Sequence, residues 1–150
     1  MLCTLSENKG ISANTNAGIE LAAGDAVGLL DHDDLLTANA LWEMADCLEK
    51  EKKRGKQKLV LFSDEDKCDG AASRFYEPNF KPDFDGELLL TNNYICHFTV
   101  IETAFLKELK LRSGFDGAQD YDLVLRAYAA GGQFVHVSEG AENQSEQGQL

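Results

Sequence analysis

The sequence predicts an α/β protein with a mainly parallel sheet flanked by helices, and three observations carry that prediction. Short apolar runs alternate along the chain with segments of helical periodicity. The run Leu59-Val60-Leu61-Phe62 is continuously apolar, as a strand buried on both faces of a parallel sheet is. Two such runs also end abruptly in acids, Asp31-His32-Asp33-Asp34 after the first and Ser63-Asp64-Glu65-Asp66 after the second. In open α/β sheets ligands collect beyond the carboxyl ends of strands, so these acids become the first functional candidates.

Taken in order, Ser12 is a candidate cap for a helix over Ala13–Ala23, with Gly24 as its stop. Ala26–Leu30 is a short strand. Thr37 is a candidate cap for a second helix, with Leu41, Met44, Ala45 and Leu48 at helical spacing and Gly55 closing it. Leu59–Phe62 is the buried strand. Gly70–Glu87, which carries both prolines (Pro78 and Pro82), reads as a loop. Tyr94–Ile101 alternates as a strand does, Thr103–Lys110 fits a short helix, and Gly114-Phe115-Asp116-Gly117 fits a turn. Asp120–Ala130 is a helix with Leu123, Val124, Ala127 and Tyr128 inward, stopped by Gly131-Gly132. Gln133–Val137 is the last strand. The tail 140–150 has no periodicity and almost no apolar content, which predicts a disordered or loosely held segment after a folded unit over 1–139.

Composition bounds the function. The 150 residues are 43% hydrophobic, 9% aromatic and 27% charged, enough for a core and too apolar for intrinsic disorder. Twenty-six acids against fourteen bases leave a net charge of −12, which repels phosphate backbones and anionic lipid and speaks against nucleic acid as a partner. Six of the fourteen bases fall in Glu49–Lys58, where cations suit a helix C-terminus and no aromatic residue interleaves them. No apolar run approaches the roughly 20 residues of a transmembrane segment, and no signal-peptide pattern follows Met1. Cys3, Cys47, Cys68 and Cys96 form no Cys-x-x-Cys pair, so a reduced, cytoplasmic setting fits best. There is no Gly-x-Ser-x-Gly elbow and no Gly-x-x-x-x-Gly-Lys-Ser/Thr loop, which removes ordinary serine hydrolases and P-loop nucleotidases.

Asp31 and Asp33 stand at i and i+2, so on an extended strand end they face one side together. Two close carboxylates resist ionisation unless a cation joins them, and their oxygens suit Mg²⁺ or Mn²⁺. A calcium loop is excluded, because Leu35, Leu36 and Trp42 occupy its fifth, sixth and twelfth positions. Helix capping remains an equal reading of the same acids. His32 projects to the other side and reads as a solvated or packing residue rather than a ligand. Asp64 is the member of the second cluster nearest the strand end, while Asp66 reads as a solvated turn. Asp120 opens a helix, where the dipole favours a carboxylate, and Asp122 reads equally as a plain first-turn acid. His97 and His136, both in apolar strands, read as hydrogen-bonded core histidines. Cys96 and Cys68 read as weak candidates for a thiolate nucleophile.

Together these stretches resemble a known family. Asn8-Lys9-Gly10-Ile11-Ser12, Asn16-Ala17-Gly18, Ala23-Gly24 and Leu30-Asp31-His32-Asp33-Asp34-Leu35-Leu36 resemble the middle of family 2 glycosyltransferases of the GT-A fold. Phe62-Ser63-Asp64-Glu65-Asp66-Lys67 is similar to the same family. So are Phe80-Lys81-Pro82-Asp83 with Asn93-Tyr94-Ile95-Cys96-His97, and Gly114-Phe115-Asp116-Gly117 running into Gln119-Asp120-Tyr121-Asp122-Leu123, all in the family's order. The resemblance covers Asn8 to Glu139 and implies a partial GT-A, Rossmann-like catalytic domain.

It also implies an inverting transfer of sugar from a nucleotide-diphosphate donor to the hydroxyl of a saccharide or lipid-linked saccharide acceptor. On that mapping Asp31-His32-Asp33 is the Asp-x-Asp motif. Asp33 binds the Mg²⁺ or Mn²⁺ that bridges the donor diphosphate, and Asp31 assists near the ribose or the metal. Asp120 is the general base, and Asp64 and Glu65 lie near donor sugar or acceptor. Gln119 departs from the acid that many relatives carry before the base. The family's opening strands, which hold the nucleotide base, have no counterpart ahead of Asn8. Its late metal-binding His is replaced by the stretch Glu142-Asn143-Gln144. The resemblance therefore implies truncation at both ends and a sheet edge left open. It implies work in surface polysaccharide assembly at the cytoplasmic side of the membrane. The alternatives are a non-catalytic remnant or fragment that binds divalent metal or carbohydrate without turnover, and an acidic interaction domain.

Overall fold

A computed structural model describes residues 4–69 and 74–138. In chain order these form α1 (Ile11–Leu21), β1 (Ala26–Leu29), α2 (Ala40–Lys53), β2 (Leu59–Ser63), β3 (Glu65–Cys68) and β4 (Phe75–Asn79). There follow α3 (Gly86–Thr91), β5 (Thr99–Glu102), α4 (Thr103–Leu109), a 3-10 turn (Ser113–Phe115), α5 (Gln119–Ala129) and β6 (Gln133–Val137). The main sheet has the order β1-β5-β2-β6. β5 is antiparallel to both of its neighbours and β2 is parallel to β6, so β1, β2 and β6 all run one way. The sheet is thus mixed, with three of its four strands sharing a direction.

The continuous apolar run of β2 is central, and Leu59, Val60, Leu61 and Phe62 are all fully buried. Its side chains divide between the two faces, as a strand's alternation requires. Val60 joins Ile19 of α1, Ile101, Phe105 and Leu106 of α4, and Leu123 and Ala127 of α5. Leu61 turns to the other face, against Met44 of α2 and Val100. Phe62 packs with Leu89 of α3, Tyr94, Ile95 and Val124. Helices therefore cover both faces, and because β1 and β2 run the same way their carboxyl ends lie at one rim of the sheet.

Several local expectations are corrected. α1 starts at Ile11 with Gly10 as its N-cap, so Ser12 does not cap it. Ser12 is instead fully buried, and its N–H (3.3 Å) and hydroxyl both donate to Asp116 Oδ1. Gly10 is required there, with φ +94° and space for a Cβ only 2.9 Å from Asp116 Oδ2. α2 begins at Ala40 with Asn39 as its N-cap, and the Thr37 carbonyl accepts from Ala40 N–H at 3.1 Å. Only Met44 of the expected α2 stripe is buried, while Leu41 and Ala45 are exposed.

The expected loop at 70–87 contains β4, which pairs with β3 as an antiparallel ribbon, and the start of α3. Every residue of β4 is exposed, so no apolar alternation marked it, and Pro78 is tolerated in a two-stranded ribbon. Asp85 caps α3, its carboxylate accepting from Glu87 N–H (2.8 Å) and Leu88 N–H (3.1 Å). The strand expected over Tyr94–Ile101 is regular only from Thr99, because His97 (φ 53°) and Phe98 (φ 21°) turn left-handed before it. Tyr128 is 40% exposed and lies edge-on to Phe84 and Phe134 instead of in the core. The predicted tail, 140–150, lies outside the described residues.

Candidate active site

The rim at the end of β1 encloses a cavity of about 250 Å³ lined by Asp31, Cys96, His97, Thr99, Gln119 and Asp120, among others. Three segments build it. β1 ends at Leu29, and the acidic run then forms a turn closed by Asp34 N–H donating to the Asp31 carbonyl at 3.2 Å. The left-handed residues His97 and Phe98 aim the chain before β5 across that turn. α5 presents its first turn from the opposite side, carrying Gln119 and Asp120.

Because the acidic run turns rather than continuing as a strand, the i, i+2 alternation stops at Leu29. Asp31 and Asp34 converge on His97, whose Nδ1 lies 3.1 Å from Asp34 Oδ2 and 3.9 Å from Asp31 Oδ2. Asp33 sits on the turn itself, largely exposed, with His32 Nδ1 3.6 Å from its Oδ1. One ligand atom from each of Asp31, Asp34 and His97 falls within 4.8 Å of the others, a set of two carboxylates and an imidazole that fits Mg²⁺ or Mn²⁺. His97 is therefore a rim residue with a half-exposed side chain, not the core histidine its apolar neighbours suggest. His32 is solvated, as its position predicts.

Asp120, in the first turn of α5, accepts a hydrogen bond from Asn93 Nδ2 at 2.9 Å. Gln119 Oε1 accepts from Gly117 N–H at 2.7 Å and so tightens the turn that delivers the helix. Asp122, two residues on, points away from the cavity into the Arg112 and Arg126 guanidiniums. Their hydrogen bonds, led by Arg112, hold its carboxyl below the usual carboxylate range against the opposing effect of burial.

The second acidic cluster divides. Asp64 is nearly buried and accepts from Lys81 N–H at 2.7 Å, with His136 Nε2 2.8 Å from the same oxygen. His136 stacks on Phe62 and is a hydrogen-bonded core histidine, as expected. Glu65 is half-buried, accepts from Asn79 Nδ2 at 2.9 Å and lies 3.1 Å from Lys81 Nζ. The buried Lys81 ammonium also donates to the Cys96 carbonyl at 2.5 Å, which anchors the segment leading into His97. Burial pushes the Cys96 thiol up, which keeps it from acting as a ready nucleophile. Asp34, His97, Asn93 and Lys81 are the site residues that local sequence patterning passed over. The Asn93–His97 stretch carried a signal that could have raised two of them, Asn93 and His97, together.

A layered α/β sheet with a carboxylate-rich cleft beyond its strand ends is the architecture of ligand-binding α/β enzymes. Residues 2–110 match the sequence profile of glycosyl transferase family 2, and the chain belongs to that family. It is 38% identical over 120 residues to the uncharacterized protein y4gI of Sinorhizobium fredii, covering 79% of this chain and 13% of that protein. It is 37% identical over 126 residues to the O-antigen biosynthesis protein RfbC of Myxococcus xanthus, covering 83% of this chain and 10% of that one. With the amylovoran biosynthesis glycosyltransferase AmsB of Erwinia amylovora it shares 29% identity over 146 residues, 93% of this chain and 48% of the relative. The chain thus spans between a tenth and a half of the length of these relatives. Among the described residues, no helix is long and apolar enough to cross a membrane.

Proposed function

We propose that this chain carries the metal-binding and base-bearing parts of a glycosyl-transfer site. That site moves a sugar from a nucleotide-diphosphate donor to an acceptor hydroxyl with inversion, at the cytoplasmic side of the membrane and in surface polysaccharide assembly. The observation that carries the reading is that Asp31 and Asp120, from opposite ends of the chain, line one cavity. Asp31, Asp34 and His97, with Asp33 on the same turn, would hold a Mg²⁺ or Mn²⁺ ion, which would supply charge to stabilise the departing diphosphate. Asp120, oriented by Asn93, takes the acceptor proton as the hydroxyl oxygen attacks the anomeric carbon. Helix α5 fixes that carboxylate on a rigid element, which supports a single direction of attack. Asp64 contributes by holding His136 and the Lys81 backbone, and Glu65 by pairing with the Lys81 ammonium that fastens the Cys96 carbonyl beside His97.

The names of two relatives, an O-antigen biosynthesis protein and an amylovoran biosynthesis glycosyltransferase, support the acceptor class, a saccharide or lipid-linked saccharide. Asp120→Asn tests the assignment. Transfer falls by about 100-fold or more, whereas donor binding stays within about twofold. Equal loss of both would show that Asp120 binds rather than accepts a proton. Metal binding without any transfer would favour a non-catalytic binding module.

A further inference from the structure

We propose that Glu65, Cys96 and His97 form a second cation site in the wall of the cleft, selective for a thiophilic divalent ion of the zinc class. One ligand atom from each residue lies within 4.8 Å of the others. Zinc bonds of about 2.0–2.3 Å in a tetrahedron place ligand atoms roughly 3.3–3.8 Å apart, so modest side-chain rotation closes the set. Three protein ligands leave the fourth position to water.

Independent features of the three residues point the same way. Glu65 Oε2 is buried and makes no hydrogen bond, its ion pair with Lys81 Nζ at 3.1 Å being the contact a bound cation would replace. Cys96 is a free, half-buried thiol in no disulfide. His97 and Phe98 hold left-handed backbones that non-glycine residues rarely adopt, and the Lys81 ammonium fastens the Cys96 carbonyl beside them. That strained segment directs Cys96 and His97 toward Glu65 together.

The donor atoms separate this site from its neighbour. Asp31, Asp34 and His97 offer two carboxylates and an imidazole, a hard set; Glu65, Cys96 and His97 replace one carboxylate with sulfur, a soft set. Binding exchanges the thiol proton, released to solvent, for a sulfur–metal bond, with no change of oxidation state. His97 belongs to both sets, so the two sites share one imidazole. The inference stands apart from the glycosyl-transfer reading, since it requires neither donor nor turnover.

The test uses the reduced, chelator-stripped chain titrated with Co²⁺ as a spectroscopic stand-in, followed by displacement with Zn²⁺. The proposal predicts a near-ultraviolet thiolate-to-cobalt band that Cys96→Ser abolishes and that Cys3→Ser, Cys47→Ser and Cys68→Ser retain. Glu65→Gln leaves every thiol in place and covers the case in which Cys96→Ser fails to fold; it weakens Zn²⁺ binding by about tenfold or more in competition with a chelating dye. Absence of the band in the folded wild-type chain would overturn the proposal. So would a band that survives Cys96→Ser, or Zn²⁺ affinity unchanged by Glu65→Gln.

Discussion

Replacing Asp122 by Asn removes one charge and little volume from the base of the helix that carries Asp120. The Asp122 side chain is only 6% exposed and is bonded by two guanidiniums, Arg112 Nε at 3.1 Å and Arg126 Nε at 2.9 Å, with a further contact from Arg112 Nη2. Arg126 in turn donates to the carbonyls of Leu109 (2.6 Å) and Lys110 (2.5 Å), which close the end of α4. Removing one member of a buried ion pair costs about 3–5 kcal/mol when the partner charge is stranded. Here Arg112 is half-exposed and regains water, which lowers the expected cost to about 2–3 kcal/mol. At about 2–4 °C per kcal/mol for a chain of this size, Tm falls by roughly 5–10 °C.

Urea unfolding of both proteins at pH 7 measures the difference directly. Its pH dependence fixes the cause. The folded carboxyl titrates below its unfolded value of about 3.9, so the stabilisation is complete above that pH and is lost as pH falls through the folded value. The gap between wild type and Asp122→Asn therefore narrows below about pH 4. A difference under about 1 kcal/mol at pH 7, or one that stays constant down to about pH 3, would refute the ion-pair account.

Gly132→Ala places a Cβ 2.7 Å from the Ala127 carbonyl oxygen, a backbone atom that cannot swing aside, and is expected to cost about 1–3 kcal/mol in urea unfolding. Gly18→Ala, mid-helix in α1 with nothing within 4 Å of the added methyl, is expected to stabilise by about 0.5–1 kcal/mol in the same assay. Ser12→Ala removes the buried hydroxyl that donates to Asp116 Oδ1 and, because the exposed Asp116 carboxylate regains water, is expected to cost about 0.5–1.5 kcal/mol; a neutral result would mean that this hydroxyl does not help hold α1 to the turn before α5.

Where burial and periodicity coincide, the fold is legible from residues alone. Leu59–Phe62 is a strand because four consecutive apolar side chains fill both faces, and Leu123, Val124 and Ala127 mark the inner face of α5. β4 was illegible for the opposite reason, since a fully exposed ribbon strand leaves no hydrophobic signature. Ser12 misleads because a hydroxyl near a helix start satisfies the capping pattern, yet its partner, Asp116, lies 104 residues away. The site divides on the same line. Asp31 and Asp120 stand at element ends, where position alone exposes a carboxylate. His97 is hidden among apolar neighbours, and only the left-handed turn at His97 and Phe98 brings it to the acids. Asp64 sits at a strand end as a cleft residue should, but His136, on the adjacent strand, claims it from within.

The most direct test of the glycosyl-transfer reading is calorimetric titration of the chain with nucleotide-diphosphate sugars, with and without Mn²⁺, beside Asp31→Asn and Asp33→Ala. The account predicts binding that requires Mn²⁺ and is lost when Asp31 is neutralised. Binding of equal strength without the metal and in both variants, or no binding under any condition, would contradict it.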